Sequence, residues 1–321
     1  MLWATGWTKG STVGAPVAGH SAAVEEIATV AAGEREFVVT SGADDAVRVW
    51  DAASGEQIGG PVTGHECCAS VAAIHLDGMG DTGTRTLLIL GEWDNGLAVF
   101  DLLTGRKMAE GATTGALALA GLVVGGRPLV FTGGGEGYGL ARVWDLAADT
   151  WSGELRPGHL EAVVAVAAVQ DGPRLVGVTG SEDSTACVWD LSTGTRIGAP
   201  FTGHNGSVRA VAATAVDGRL LAVTGSNDQT ARLWDATTAE QISVLLTGHG
   251  TVTCVASAVI DHRALAAIGT RHGTVRVWDL GADTQVGTDL LFPMPVDAVG
   301  ITPAGRIAVA FGHEVAVFTA H

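Results

Sequence analysis

The sequence predicts an all-β fold, a closed ring of seven four-stranded sheets, on three observations: a recurring strand motif, its period, and complementary incomplete units at the two chain ends. The motif is a β-branched or aliphatic strand ending in an aromatic residue and usually Asp: AVRVWD, LAVFD, LARVWD, TACVWD, TARLWD, TVRVWD and the variant EVAVF. Its aromatic residues are Trp50, Phe100, Trp144, Trp189, Trp234, Trp278 and Phe318, spaced 50, 44, 45, 45, 44 and 40 residues apart. That is the period of a four-stranded propeller blade. Around each anchor lie three further short segments rich in Val, Ala, Leu and Ile, bounded by Gly, Asp, Asn and Ser turn residues. Helix-period patterning is absent.

The clearest unit runs from Gly194 to Asp235 and contains every strand in order: d over 195–201, a over 208–214, b over 219–224 and c over 230–234. Asp217-Gly218 marks the hairpin between a and b. The N-terminal stretch GSTVGAPVAGH, Gly10 to His20, closely matches GTRIGAPFTGH at 194–204, so the chain opens on a d strand with no inner strands before it. At the other end Val296 to Ile301, Arg306 to Phe311 and Val315 to Phe318 read as a, b and c with no d after them. The strand at about 11–17 is therefore expected to pair with the one at about 314–318, closing residues 1–321 into one seven-bladed β-propeller without an open edge.

Gly-His occurs at 19–20, 64–65, 158–159, 203–204 and 248–249, each upstream of a b-to-c turn and a Trp-Asp or Phe-Asp ending. With these endings the chain resembles the WD-repeat family over nearly its whole length. Three sets share one spacing, 24 residues from His to Asp: His20, Thr40, Asp44 with Trp50; His159, Thr179, Asp183 with Trp189; and His204, Thr224, Asp228 with Trp234. Out of context each suggests a nucleophile, a base and an orienting acid. A catalytic site is needed once, whereas this set recurs three times. The resemblance implies structural tetrads, in which Trp, a hydroxyl, His and the turn Asp form one hydrogen-bonded chain that satisfies buried polar groups. Elsewhere the tetrad decays: blade two has Leu90 and Phe100 beside His65 and Asp94, and blade six has Ile268 and His272 beside His249 and Trp278.

Composition narrows the function. Formal net charge is −16, and Lys9 and Lys107 are the only lysines, so no basic stripe exists to drive counterion release from nucleic acid. The same balance argues against an anionic membrane surface and for a basic protein partner. No apolar run approaches the ~20 residues of a membrane-spanning helix, and the first ten residues lack a secretory signal. A soluble, monomeric, cytoplasmic protein is expected, and the Arg excess over Lys suggests a high-GC bacterial source. Cys67, Cys68, Cys187 and Cys254 form no Cys-x-x-Cys pair, so neither a disulfide scaffold nor a metal site is expected. The run Gly133 to Gly139 lacks the Lys-Ser or Lys-Thr and the following helix of a phosphate loop, and reads as a lengthened b-to-c turn.

With no catalytic set beyond the tetrads and no cofactor motif, the expected function is a non-enzymatic protein-interaction scaffold. Its binding face is formed by the d-to-a and b-to-c loops, where the family most often meets its ligands. The residue before the tetrad Asp projects towards that face: Ala43, Trp93, Gly137, Glu182, Asn227, Arg271 and Phe311 in blade order. Trp93 and Arg271 are of the types that dominate interface hot spots, with Glu182, Tyr138, Asn227, Glu66, Leu160 and Asn205 as a polar rim. The alternative is an enzyme or small-ligand binder that uses His272, Arg271, Glu182, Tyr138 and Trp93 at the channel mouth.

Overall fold

The computed structural model describes residues 17–63, 68–77, 84–92, 96–111, 116–134, 139–151, 155, 158–247 and 250–319. These residues form seven antiparallel sheets arranged as a β-propeller, with no helix among them. In blade five Val208–Val216, Arg219–Ser226, Thr230–Asp235 and Glu240–Thr247 pair in sequence order. Strands a and b each run two residues past the predicted limits, a as far as the Asp217-Gly218 turn, whose two residues have the positive φ that a tight hairpin requires.

The ring closes as the chain ends predict. Strand β1 (Val17–Ala18) pairs antiparallel with β2 (Glu314–Phe318), Val17 opposite Val315 and Ala18 opposite Glu314. Residues 11–16 of the expected N-terminal strand lie outside the described residues. Blade one departs from the ideal. Its outer strand is reduced to isolated bridges, Trp50 with Gln57 and Val47 with Val62, since Gly59, Gly60 and Pro61 interrupt it and Pro cannot donate to a ladder.

The apolar core lies between blades rather than in one central mass. Val176, Val178 and Val188 of blade four pack with Val208, Leu220 and Trp234 of blade five, and a comparable cluster fills each of the other blade junctions. Every a strand also breaks register at its second residue, at Glu25, Ala69, Leu117, Val164, Arg209, Thr253 and Asp297. A bulge re-aims a strand locally, and here seven of them ring one mouth of the central channel.

Candidate functional site

The three complete sets are hydrogen-bonded chains. In blade five Trp234 Nε1 donates to Thr224 Oγ1 at 2.8 Å, that hydroxyl lies 2.7 Å from His204 Nε2, and His204 Nδ1 lies 3.0 Å from Asp228 Oδ2. An ionised carboxylate only accepts, so Nδ1 carries the proton and Nε2 accepts from the hydroxyl. Blade one repeats this order through Trp50, Thr40, His20 and Asp44 at 2.9, 2.8 and 2.7 Å. Blade four does so through Trp189, Thr179, His159 and Asp183 at 2.9, 2.7 and 3.2 Å. Each Asp also accepts the backbone N–H of the residue after His: Ser21, Leu160 or Asn205. Burial lowers the pKa of all three imidazoles, outweighing the neighbouring carboxylate that would raise it. Desolvation opposes the charge on Asp44 and Asp228, yet hydrogen bonds from His20 and Ser21, and from Thr230, Asn205 and His204, hold both at about 2. The hydroxyls of Thr40, Thr179 and Thr224 are fully buried and each already bonds Trp and His, so these sets tie loops to strands and leave no opening for a substrate.

Where the tetrad decays, the geometry follows. With Ile268 in the hydroxyl position, Trp278 Nε1 is buried and has no hydrogen-bond partner among the described residues. In blade three Trp144 turns its Nε1 to Asp149 Oδ1 at 3.3 Å and stacks on Trp151. The thiols of Cys187 and Cys254 are pushed up by burial to about 11 and about 12, far from the range of a reactive thiolate.

Arg271, Glu182, Asn227, Leu160 and Asn205 are all exposed on the d-to-a and b-to-c loops, as the sequence places them. Trp93, Tyr138 and Glu66 lie outside the described residues. Phe311 does not project: it pairs with Glu314 inside blade seven and is buried against Phe292, because the Gly312-His313 hairpin there is too short to turn it out. Glu182 pairs with Arg209 at 3.1 Å, which ties blade four to blade five.

Arg271 and Asn227 reach the edge of a cavity of about 680 Å³ at the channel mouth, lined also by Glu25, Glu26, Arg209 and Asp297. Burial raises the carboxyl pKa of Glu25, Glu26 and Asp297, that of Glu26 to about 7 although Val71 N–H and Ser70 Oγ donate to it. Asp45 and Asp297 add to the rise at Glu25, and Arg271 moderates the one at Asp297. Three apolar side chains stand on the same face, Leu160 at 82%, Leu291 at 70% and Met294 at 45% exposure. The Leu291 to Met294 loop abuts the Arg271 turn, since Phe292 N–H donates to Gly273 O at 2.7 Å. Sequence reasoning missed Leu291 and Met294 because it took from the d-to-a loops only the residue after Gly-His, and the loop that holds these two has no Gly-His. It missed the bulge residues because a register break leaves no mark in the pattern of apolar residues.

The propeller and its tetrads define a class: a repeat protein in which three blades are locked by Trp-Thr-His-Asp hydrogen bonds. Residues 152–190, 195–235 and 240–279 each match the family model of the WD domain, G-beta repeat, so blades four, five and six carry WD repeats within the seven-bladed ring. No curated protein matched the chain as a relative.

Proposed function

We propose that this chain is a protein-recognition propeller, without chemistry of its own, that seats a protein partner on the d-to-a and b-to-c loop face. The observation that carries this reading is the exposure of Leu160, Leu291 and Met294 beside Arg271, Glu182 and Asn227 on that face. Large apolar side chains next to Arg, rimmed by polar residues, are the make-up of an interface hot spot. Glu25, Glu26 and Asp297 at the channel mouth, with the net charge of −16, favour a partner that presents basic residues. The opposed charges of Glu25 and Asp297 against Arg209 and Arg271 support a second reading, a small charged ligand in the cavity.

The test is to recover the partner by pull-down from the native cell and measure its affinity for Arg271→Ala and Leu291→Ser at unchanged melting temperature. A loss of ~2 kcal/mol or more at either position is expected. Normal binding by both variants sinks the face assignment.

A further inference from the structure

Six c-to-d turns are near-copies of one another, so a departure in one of them carries information. They read AASGEQI at 52–58, LAADTWS at 146–152, LSTGTRI at 191–197, ATTAEQI at 236–242 and LGADTQV at 280–286, against LLTGRKM at 102–108 in blade two. The fold accounts for the first residue, which is buried in blade two as in four of the other turns and half-buried, as Leu146, in blade three. It also accounts for the turn itself. Asp51, Asp145, Asp190, Asp235 and Asp279 each accept the backbone N–H groups that follow, and Asp101 does the same with Thr104 N and Thr104 Oγ1 at 2.9 and 2.7 Å. Nothing in that turn requires Leu103, Arg106 or Lys107. At Leu103 the other blades carry Ala, Ser, Thr or Gly, and at Arg106 they carry Glu or Thr.

These residues are exposed together. Leu103 and Met108 are 52% and 42% exposed, and Arg106 and Lys107 lie between them. Arg106, Lys107 and Met108, with Arg85, Asp101 and Thr104, line a notch of about 520 Å³ on the face opposite the d-to-a loops, and Leu103 stands next to it in the same turn. Arg85 is the counterpart of Arg35, Arg127 and Arg263, each of which pairs with the Asp that ends strand c in its blade. In blade two Thr104 donates to Oδ1 of that Asp, and no ion pair joins it to Arg85 among the described residues. Among the described residues neither Arg85 nor Arg106 makes an ion pair, and Lys107 pairs only with the exposed Glu110. A cation-rich notch flanked by two apolar side chains thus sits on a chain whose net charge is −16.

We infer that this notch is a second docking surface, independent of the d-to-a loop face, and that it takes an acidic, apolar segment of a protein partner. Guanidinium forks match carboxylates bidentately, and Leu103 and Met108 require apolar side chains to cover them. A phosphate backbone offers none, and beyond these three cations it would meet a chain whose net charge is −16.

The inference is tested by selecting a random dodecapeptide display library on the whole chain, with counter-selection on Arg106→Glu/Lys107→Glu. Both positions are exposed, and an unchanged melting temperature verifies the variant's fold. Peptides retained by the native chain alone are expected to be net acidic and to contain Leu, Ile or Phe. Synthesised, they should bind the double variant about tenfold or more weakly, bind Leu103→Ser several times more weakly, and bind less tightly as salt rises. Arg271→Ala should leave their affinity unchanged, which separates this surface from the opposite face. The inference is overturned if no peptide discriminates, if those that do are neutral or basic, or if Arg271→Ala weakens them equally. A single-stranded DNA oligonucleotide that binds as tightly and is lost in the double variant also overturns it.

Discussion

Trp234 and Trp278 hold the same place in consecutive blades, yet only the first finds an acceptor for its indole N–H, because Thr224 faces one and Ile268 the other. That difference is legible in sequence, since the His, hydroxyl, Asp and Trp positions can be read off the repeat. Glu26 is not. It is one acidic residue in a strand, and only the ring shows that it faces the channel, where its carboxylate accepts from Ser70 Oγ of blade two while Ser70 accepts Leu119 N–H of blade three. Its pKa rises from an ordinary 4.5 to about 7 on folding, so between those values the folded state holds more protons than the unfolded one. Stability from this group is therefore present at low pH and is lost as pH rises towards 7. The buried imidazoles of His20, His159 and His204 work in the opposite sense, losing stability as pH falls below 6.5, where the unfolded chain takes up protons. Glu26→Gln keeps an amide oxygen for both donors and removes the charge. It should stabilise the protein by ~1–3 kcal/mol at pH 8 and by nothing at pH 4. Urea melts at the two pH values measure this, and an equal change at both would refute the assignment.

At the scale of elements, blade period, strand order and closure are written in the repeat, but the contact between neighbouring blades is not. The residue after the buried Thr or its equivalent in strand b is Gly133, Gly180, Gly225 or Gly269 in blades three to six. A Cβ on these residues would come within 2.5, 2.8, 2.3 and 2.7 Å of Val163, Val208, Val252 and Val296, the first residue of strand a in the next blade. The glycines therefore set how closely blades approach, a role that a pattern read along one strand cannot show. Gly225→Ala should force blades five and six apart and cost ~1–3 kcal/mol, the usual penalty for an overpacked core. Thermal melts should show the loss without a change in the far-ultraviolet spectrum of the sheet. A variant as stable as the native chain would mean that the junction yields to a methyl group.

The whole molecule depends on closure, because its apolar core consists of blade junctions and an open ring would leave one junction half-covered. Blade seven meets blade one through Val38, Trp50, Ala308 and Val317, and through Val24 N–H donating to Gly312 O at 2.7 Å. Thr29 Oγ1 adds a bond to Ile301 O, and Glu36 adds an ion pair with Arg306. Strand β1 contributes differently, since it covers the backbone of β2 as the d strands of blades two to six cover their own c strands. Deleting residues 1–18 should therefore keep the three inner strands of blade seven in place while exposing the β2 edge. Each ladder hydrogen bond lost is worth ~1 kcal/mol net, so the melting temperature should fall by several degrees, and the bare edge should promote self-association. A synthetic peptide of residues 1–18 added in trans should restore the melting temperature saturably and suppress association. Restoration separates a missing strand from general damage to the fold. A truncated chain that melts as the native one does and stays monomeric would show that the junction of blades seven and one holds the ring without β1.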